Sequence, residues 1–146
     1  MKRILSALLT LAAAMAFVVL PAATAVHAQC TNANLMGNYA GTLSGFTTPN
    51  KSTKGNEVPW VVVGLVTFDG AGNVSFSYAG AINGGIFTNQ TASGTYTVNS
   101  DCTGSVSLTA GDGAGTNGNV VIIGGGIEAF GVITNAGSSA TFDFKK

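Results

Sequence analysis

From residue 29 onward, the sequence consists of short runs in which apolar and polar residues alternate, separated by clusters of glycine, asparagine and aspartate. In one such run Val74, Phe76 and Tyr78 alternate with Ser75 and Ser77, which is the period-two pattern of a strand with one buried face. The glycine clusters favour tight hairpin turns, which need positive φ angles. No stretch of this region carries a convincing helical period, so the sequence predicts an all-β chain.

Short strands joined by short turns form an antiparallel meander, and closure into a barrel is the usual way for a meander to remove its exposed edges. We therefore predict a small antiparallel up-and-down β-barrel of about eight strands, with a two-sheet β-sandwich as the alternative. The predicted strands are residues 36–45, 58–68, 73–80, 84–88, 91–98, 104–110, 119–124, 127–134 and 138–145.

Residues 1–28 have the features of a bacterial secretory signal peptide. Lys2 and Arg3 precede an apolar core at residues 4–20, and Ala28 ends a small-residue cleavage pattern. This predicts a signal peptide at 1–28, a single β-barrel domain at 29–146 and a secreted or periplasmic protein. A retained membrane anchor and lipoprotein processing at Cys30 are the disfavoured alternatives. We expect no membrane span after processing, because most predicted strands are shorter than the roughly 9–11 residues of a membrane-spanning strand.

Two cysteines, Cys30 and Cys102, are present in the chain. In an oxidising compartment paired thiols normally form disulfides, and here only one pairing is possible. The sequence therefore predicts a Cys30–Cys102 disulfide that ties the start of the exported chain to a turn near its middle. A reactive thiol is the alternative, which the absence of an activating histidine disfavours.

Several function classes are excluded by composition. The only histidine, His27, lies in the predicted signal peptide, so the exported chain has no imidazole for Ser-His-Asp or Cys-His catalysis or for zinc ligation. Six carboxylates outnumber the four cations that follow residue 28, so no basic stripe for nucleic acid exists. Those cations are Lys51, Lys54, Lys145 and Lys146.

Two patterns resemble ligand motifs. The segment Gly113–Gly118 matches the GxGxxG dinucleotide fingerprint, but a strand-like run follows it where the fingerprint requires a helix. We interpret it as a glycine-rich hairpin loop and predict no cofactor. Asp69 and Asp112 stand in turns that faintly suggest calcium loops, but neither stretch supplies repeated acidic positions. We therefore predict no metal site.

Alternation also predicts which side chains face the barrel interior. An eight-strand barrel can be filled by its own side chains or can hold one small apolar ligand. The candidate ligand-lining residues are Tyr39, Trp60, Phe76, Tyr78 and Phe142.

The run Val58–Phe68 is apolar on both faces, since Val61, Val63 and Leu65 alternate with the inward set. Either another segment covers this second face, for example the chain start tethered at Cys30, or a second copy of the protein does.

Glu128 is the only candidate for acid–base chemistry, and a weak one. It shares a strand face with Phe130 and Val132. An interior Glu128 would be a buried carboxylate with a raised pKa and a catalytic candidate. We favour an exterior Glu128, because charges are rarely buried without partners.

Three segments resemble a group of uncharacterised exported bacterial β proteins with a GTYTVNxDCTG-type motif. These segments are LMGNYAGTLSGF, GLVTFDGAGNVS and SGTYTVNSDCTGSVSL. At the level of fold, such proteins look like small barrels of the allene oxide cyclase and dirigent type, which tend to form trimers. The step Gly37-Asn38-Tyr39 is also similar to the Gly-x-Trp opening of calycins. No catalytic motif of these enzymes can be placed on this sequence, so the resemblance implies a fold and no activity.

These observations predict an exported β-barrel without catalytic activity that serves as a binding or structural module and could hold a small apolar ligand. The alternative is a cyclase-like or isomerase-like barrel that acts by confinement with one carboxylate, Glu128. A homo-oligomer formed through the Val61, Val63 and Leu65 face is the expected partner, and nucleic acid is not.

Overall fold

The computed structural model describes residues 29–48 and 56–146. The predicted signal peptide and residues 49–55 lie outside the described residues. A short 3-10 helix, η1 (Asn32–Leu35), precedes eight strands. The strands are β1 (Gly37–Thr47), β2 (Val58–Phe68), β3 (Asn73–Ile82), β4 (Gly85–Val98), β5 (Thr103–Ala110), β6 (Gly115–Ile123), β7 (Glu128–Ile133) and β8 (Ser138–Lys145).

Every strand pairs antiparallel with the next one along the chain, and β8 pairs with β1, which closes the barrel. The predicted all-β, eight-stranded, up-and-down barrel is therefore confirmed, and the sandwich alternative is wrong. Within the described part of the chain, closure leaves each of the eight strands with two neighbours.

The structure has eight strands where the sequence predicted nine, because the predicted strands 84–88 and 91–98 form the single strand β4. Its register with β3 shifts between Tyr78 and Gly80, where Thr88 and Asn89 oppose one residue. This β-bulge keeps Phe87 on the inner face, where strict alternation from Ala92 would turn it outward. The alternation pattern breaks at the bulge, so the sequence suggested two strands.

A second difference concerns the segment Gly113–Gly118. Only residues 111–114 form the loop between β5 and β6, whereas Gly115 to Gly118 already belong to β6. The predicted strand 119–124 therefore begins four residues earlier. A dinucleotide fingerprint requires a helix after the glycine-rich loop, and in this structure a strand follows instead.

The strands contain from 6 to 14 residues. Several are longer than predicted, so strand length gives no argument about an outer-membrane barrel. In the described ranges, no helix is long and apolar enough to cross a bilayer.

Aromatic side chains fill much of the interior. The ring of Phe68 makes edge contacts with Tyr39, Tyr96 and Phe144 at centroid distances of 5.4, 4.9 and 5.7 Å. Phe142 stacks on Phe144 at 4.8 Å. No polar or charged residue is buried within the described part of the chain. A small barrel filled in this way is held together by apolar burial and close packing.

The two ends of the barrel carry different connections. One end, which we call the closed end, has η1 and the connections at residues 69–72, 99–102 and 124–127. The other, the open end, has the connections at residues 83–84, 111–114 and 134–137, together with the segment between β1 and β2.

Candidate functional site

The 3-10 helix η1 blocks the closed end. Its Leu35 is 1% exposed and packs into the core. Tyr39, also 1% exposed, donates a hydrogen bond from its hydroxyl to the Gly126 carbonyl at 2.5 Å. The backbone N–H of Val98 donates to Oδ1 of Asn32 at 2.8 Å. Tyr39, a predicted ligand-lining residue, is therefore part of a plug.

The Cys30–Cys102 disulfide joins this plug to the turn between β4 and β5, and the predicted disulfide is confirmed. Cys102 adopts a left-handed conformation with φ of 65°. Its carbonyl accepts a hydrogen bond from the Ile122 N–H at 2.8 Å. The disulfide thus fastens the start of the barrel to three of its strands at one end.

The other four predicted lining residues do come together. Trp60, Phe76, Tyr78 and Phe142 line an interior cavity that also contacts Leu108, toward the open end of the barrel. Its volume is only about 60 Å³, whereas sites for small molecules usually enclose roughly 300–1,000 Å³. The interior is therefore close to filled.

Phe87 is a residue of this region that the sequence did not suggest. Its ring lies 6.0 Å from the Tyr78 ring in an edge contact, and Tyr78 stacks on Phe76 at 4.8 Å. The bulge turns Phe87 inward, and no local signal beyond the asparagine at position 89 pointed to it. Burial, with a smaller contribution from the charge of Asp112, raises the pKa of Tyr78, so its phenol stays protonated at neutral pH.

Glu128 lies on the outer face of β7. Its Oε1 accepts from Nζ of Lys145 at 3.2 Å, across the pairing of β7 with β8. This exposed ion pair holds the carboxylate outside the barrel. The arrangement gives the interior cavity no acid or base from Glu128.

The turn at Asp69 does not offer its carboxylate to a metal. Oδ1 of Asp69 accepts from the N–H groups of Ala71, Gly72 and Asn73 at 2.8 to 2.9 Å. The Asn73 side chain also donates to this carboxylate. That bond has the largest effect, and together with the backbone bonds it lowers the pKa of Asp69 to about 2. Across residues 29–48 and 56–146, no group of three or more His, Cys, Asp or Glu side chains is placed to hold a metal ion.

A concave surface lies outside the barrel. We call it the outer groove; it encloses about 1070 Å³ across β4, β5, β6, β7, β8 and β1. Two adjacent rows of outward side chains form its floor. One row, in strand order, is Thr97, Ser105, Asn119, Val132, Thr141 and Ser44. The other is Thr103, Val121, Phe130, Asp143 and Thr42.

Two glycines bring the wall of the barrel inward beneath this groove. Gly118 of β6 and Gly131 of β7 point inward onto the ring of Phe142, where a Cβ atom on either would overlap the ring. The missing side chains let the two strands lie directly against the aromatic ring. The barrel wall therefore lies closer to the core at Gly131. Phe130 and Val132, the residues on either side of this glycine, project outward.

Asp143 has an unusual position in the groove. One carboxylate oxygen, Oδ1, is buried and has no hydrogen-bond partner within the described part of the chain. Its cross-strand neighbours are Phe130 and Thr42. Leaving a buried acceptor unsatisfied costs about 1–3 kcal/mol. Asp143 therefore places a carboxylate without a hydrogen bond to any described residue beside Phe130 in the groove.

The sequence pointed to none of the groove residues as a site. The available signal was the outward aromatic Phe130, which shares its strand face with Glu128 and Val132. That signal comes from one strand only. The groove is formed by side chains from six strands, so it could not be predicted from a single run of sequence.

The outer face of β2 is exposed. Val61, Val63 and Leu65 are 49%, 58% and 51% exposed, and no described residue covers them. The chain start at Cys30 runs to the closed end, so the expectation that this segment covers the face is wrong.

Comparison of the chain with models of protein families, with curated proteins and with solved structures gave no match. The fold and the geometry of these surfaces therefore carry the functional argument.

Proposed function

We propose that this protein is an exported, non-catalytic binding module that holds its ligand in the outer groove. One observation carries the proposal: the groove encloses about 1070 Å³ and the interior cavity only about 60 Å³. Most known small-molecule sites are closer in volume to the groove than to the interior cavity. A small apolar ligand inside the barrel would require Trp60, Phe76 and Tyr78 to move apart.

A cyclase-like or isomerase-like activity has less support. Confinement chemistry needs a closed space and a proton carrier within reach of the substrate. The cavity is too small for a cyclic product, and Glu128, the candidate carboxylate, is paired with Lys145 on the outer face.

We propose a secreted or periplasmic location. The disulfide supports it, because disulfides persist in oxidising compartments. The polarity of the inner and outer faces of the barrel also supports this location. The interior is apolar, whereas one row of the outer groove consists of Ser, Thr and Asn with the single exception of Val132. A membrane-spanning barrel has the opposite arrangement, with lipid-facing apolar side chains. The sequential closure of eight strands supports the proposed likeness to cyclase, dirigent or calycin barrels.

A fragment titration followed by NMR amide shifts tests the binding site. We expect fragments to shift the amides of Asn119, Phe130 and Val132. Val132→Arg, which fills the groove, should abolish these shifts, whereas Ser77→Arg on β3, a strand that contributes no groove residue, should leave them unchanged. Shifts confined to Trp60, Tyr78 and Leu108 would instead place the ligand in the interior and contradict the proposal.

We further propose that the β2 outer face mediates self-association. Three neighbouring aliphatic side chains half exposed on one strand are a self-complementary apolar surface, and Ala79 and Ala81 of β3 extend it. Sedimentation velocity tests the proposal: the wild type should form an oligomer that Val63→Arg dissociates and Val132→Arg preserves. A monomeric wild type at about 100 μM would contradict it, since useful oligomers have dissociation constants below that range.

A further inference from the structure

Some polar side chains of the outer groove are engaged with each other, as where Asn99 donates to Oγ1 of Thr103 at 3.0 Å, and others are not. Within the described part of the chain, Thr42, Ser44, Asn119 and Thr141 take part in no side-chain hydrogen bond, whereas Thr97 and Ser105 bond to each other at 2.9 Å. A hydroxyl both donates and accepts, and an asparagine amide does so as well. This set therefore suits a ligand whose own groups also donate and accept.

The charge of the groove further restricts the class of ligand that it can bind. Among the described residues that line the groove, Asp143 is the only charged one, and none of them is a cation that could balance an anionic ligand. Lys145, the nearest lysine along β8, is engaged with Glu128. The oxygens of a carboxylate accept hydrogen bonds. The ligand should be neutral and should bring a donor to Asp143.

An apolar platform lies beside this carboxylate. Val121, Phe130 and Val132 are 51%, 44% and 50% exposed at the centre of the groove. Phe130 lies between Val121 and Asp143 in the same cross-strand row. A ring with an apolar face and a polar rim could pack its face on Phe130 and direct its rim toward Asp143.

The shape of the surface disfavours peptides. A peptide that binds as an added strand needs a free sheet edge, and this barrel is closed. A docked amphipathic helix needs a long apolar stripe, whereas Val121, Ile123, Phe130 and Val132 form a compact patch on two adjacent strands. The groove crosses six strands, which at about 4.8 Å per strand gives about 24 Å along the curved wall of the barrel, long enough for a chain of rings that follows the wall.

From these features we infer that the outer groove binds a chain of neutral sugars, with Phe130 packing against the C–H face of one ring and Asp143 accepting from its hydroxyls. Sugars combine the required properties: neutral charge, many hydroxyls that donate and accept, and an apolar ring face. The inference rests on the proposed function of the groove and names the class of its ligand.

The test is an NMR titration of ¹⁵N-labelled protein with four separate probes: cellohexaose, maltohexaose, an oligogalacturonate and a neutral hexapeptide. We expect at least one neutral hexasaccharide to shift the amides of Asn119, Phe130 and Val132. Phe130→Ala and Asp143→Asn should each weaken its binding about tenfold or more, as expected for a central contact. Ser77→Ala, on β3, which contributes no residue to the groove, should leave the affinity within about twofold. Wild-type-like spectra of the variants establish that they are folded.

The outcomes separate the two proposals. Groove shifts produced only by the hexapeptide or by apolar fragments would overturn the sugar ligand and leave the groove as the binding site. Equal binding of the oligogalacturonate would overturn the neutral class in the same way. Spectra in which no probe or fragment shifts a groove amide would overturn both.

Discussion

The two ends of the barrel are built on different principles. At the closed end, Leu35 and Tyr39 are almost fully buried, the Tyr39 hydroxyl bonds to Gly126, and a disulfide secures the plug. At the open end, Trp60 and Tyr78 are only half buried, and the adjoining cavity is narrow. The closed end also holds the ammonium group of Lys146, 5.0 Å from the centroid of the Tyr39 ring.

This contrast shows where the chain gains its stability. A disulfide, a buried aliphatic side chain and satisfied buried hydroxyls each stabilise a small domain measurably. The disulfide and the buried, bonded Tyr39 hydroxyl lie at the closed end, whereas buried aliphatic side chains continue as far as Ile133 beside the open end. Four measurements test this contrast between the two ends.

The disulfide should contribute most. The Cys30→Ser/Cys102→Ser variant should lose about 4 kcal/mol of unfolding free energy, because the cross-link restricts a 72-residue separation in the unfolded chain. Urea unfolding measures the loss, and wild-type protein treated with reductant should unfold like the variant. A loss below about 1 kcal/mol would show that the closed end does not depend on its covalent tie.

Leu35→Ala should cost about 3 kcal/mol, because Leu35 is fully buried and leaves a cavity. Its counterpart toward the open end is Leu108→Ala, at a partly buried position, which should cost about 1 kcal/mol. Both losses are read from urea unfolding. Equal losses would mean that the two ends are packed alike.

A matched pair of hydroxyl deletions gives a finer comparison. Tyr39→Phe leaves the Gly126 carbonyl without its donor and should cost about 1–2 kcal/mol. Tyr78→Phe removes a hydroxyl that bonds to no described residue and should change stability by less than about 0.5 kcal/mol. Thermal unfolding of both variants tests the pair. A larger loss for Tyr78→Phe would reverse the comparison.

The smallest effect concerns pH. Hydrogen bonds in the closed-end turn lower the pKa of Asp69 from 3.8 to about 2, so the folded state favours the carboxylate. This contribution is fully present above pH 4 and is lost as the pH falls from about 4 to about 2. Asp69→Asn should therefore flatten the decline in melting temperature over that interval. An unchanged decline would show that other carboxylates, such as Asp101, dominate it.

The all-β class, the preference for a barrel over a sandwich and the disulfide could be predicted from the sequence. Alternation with period two is a local property of each run, and glycine-rich turns limit how successive runs can pair. The disulfide followed from the presence of two cysteines alone. Trp60, Phe76, Tyr78 and Phe142 were placed inside the barrel by the same alternation.

Only the tertiary structure decided the number of strands, the plug and the outer groove. The bulge in β4 changes which residues of that strand face inward, so alternation with period two does not hold across the whole strand. Tyr39 was assigned to the correct face but not to the closed end, since its position along the barrel axis depends on strand register. The groove takes one or two side chains from each of six strands, among them Phe130 and Asp143, which are neighbours only through the pairing of β7 with β8. Such a surface has no local sequence pattern, because its residues meet only when the barrel has closed.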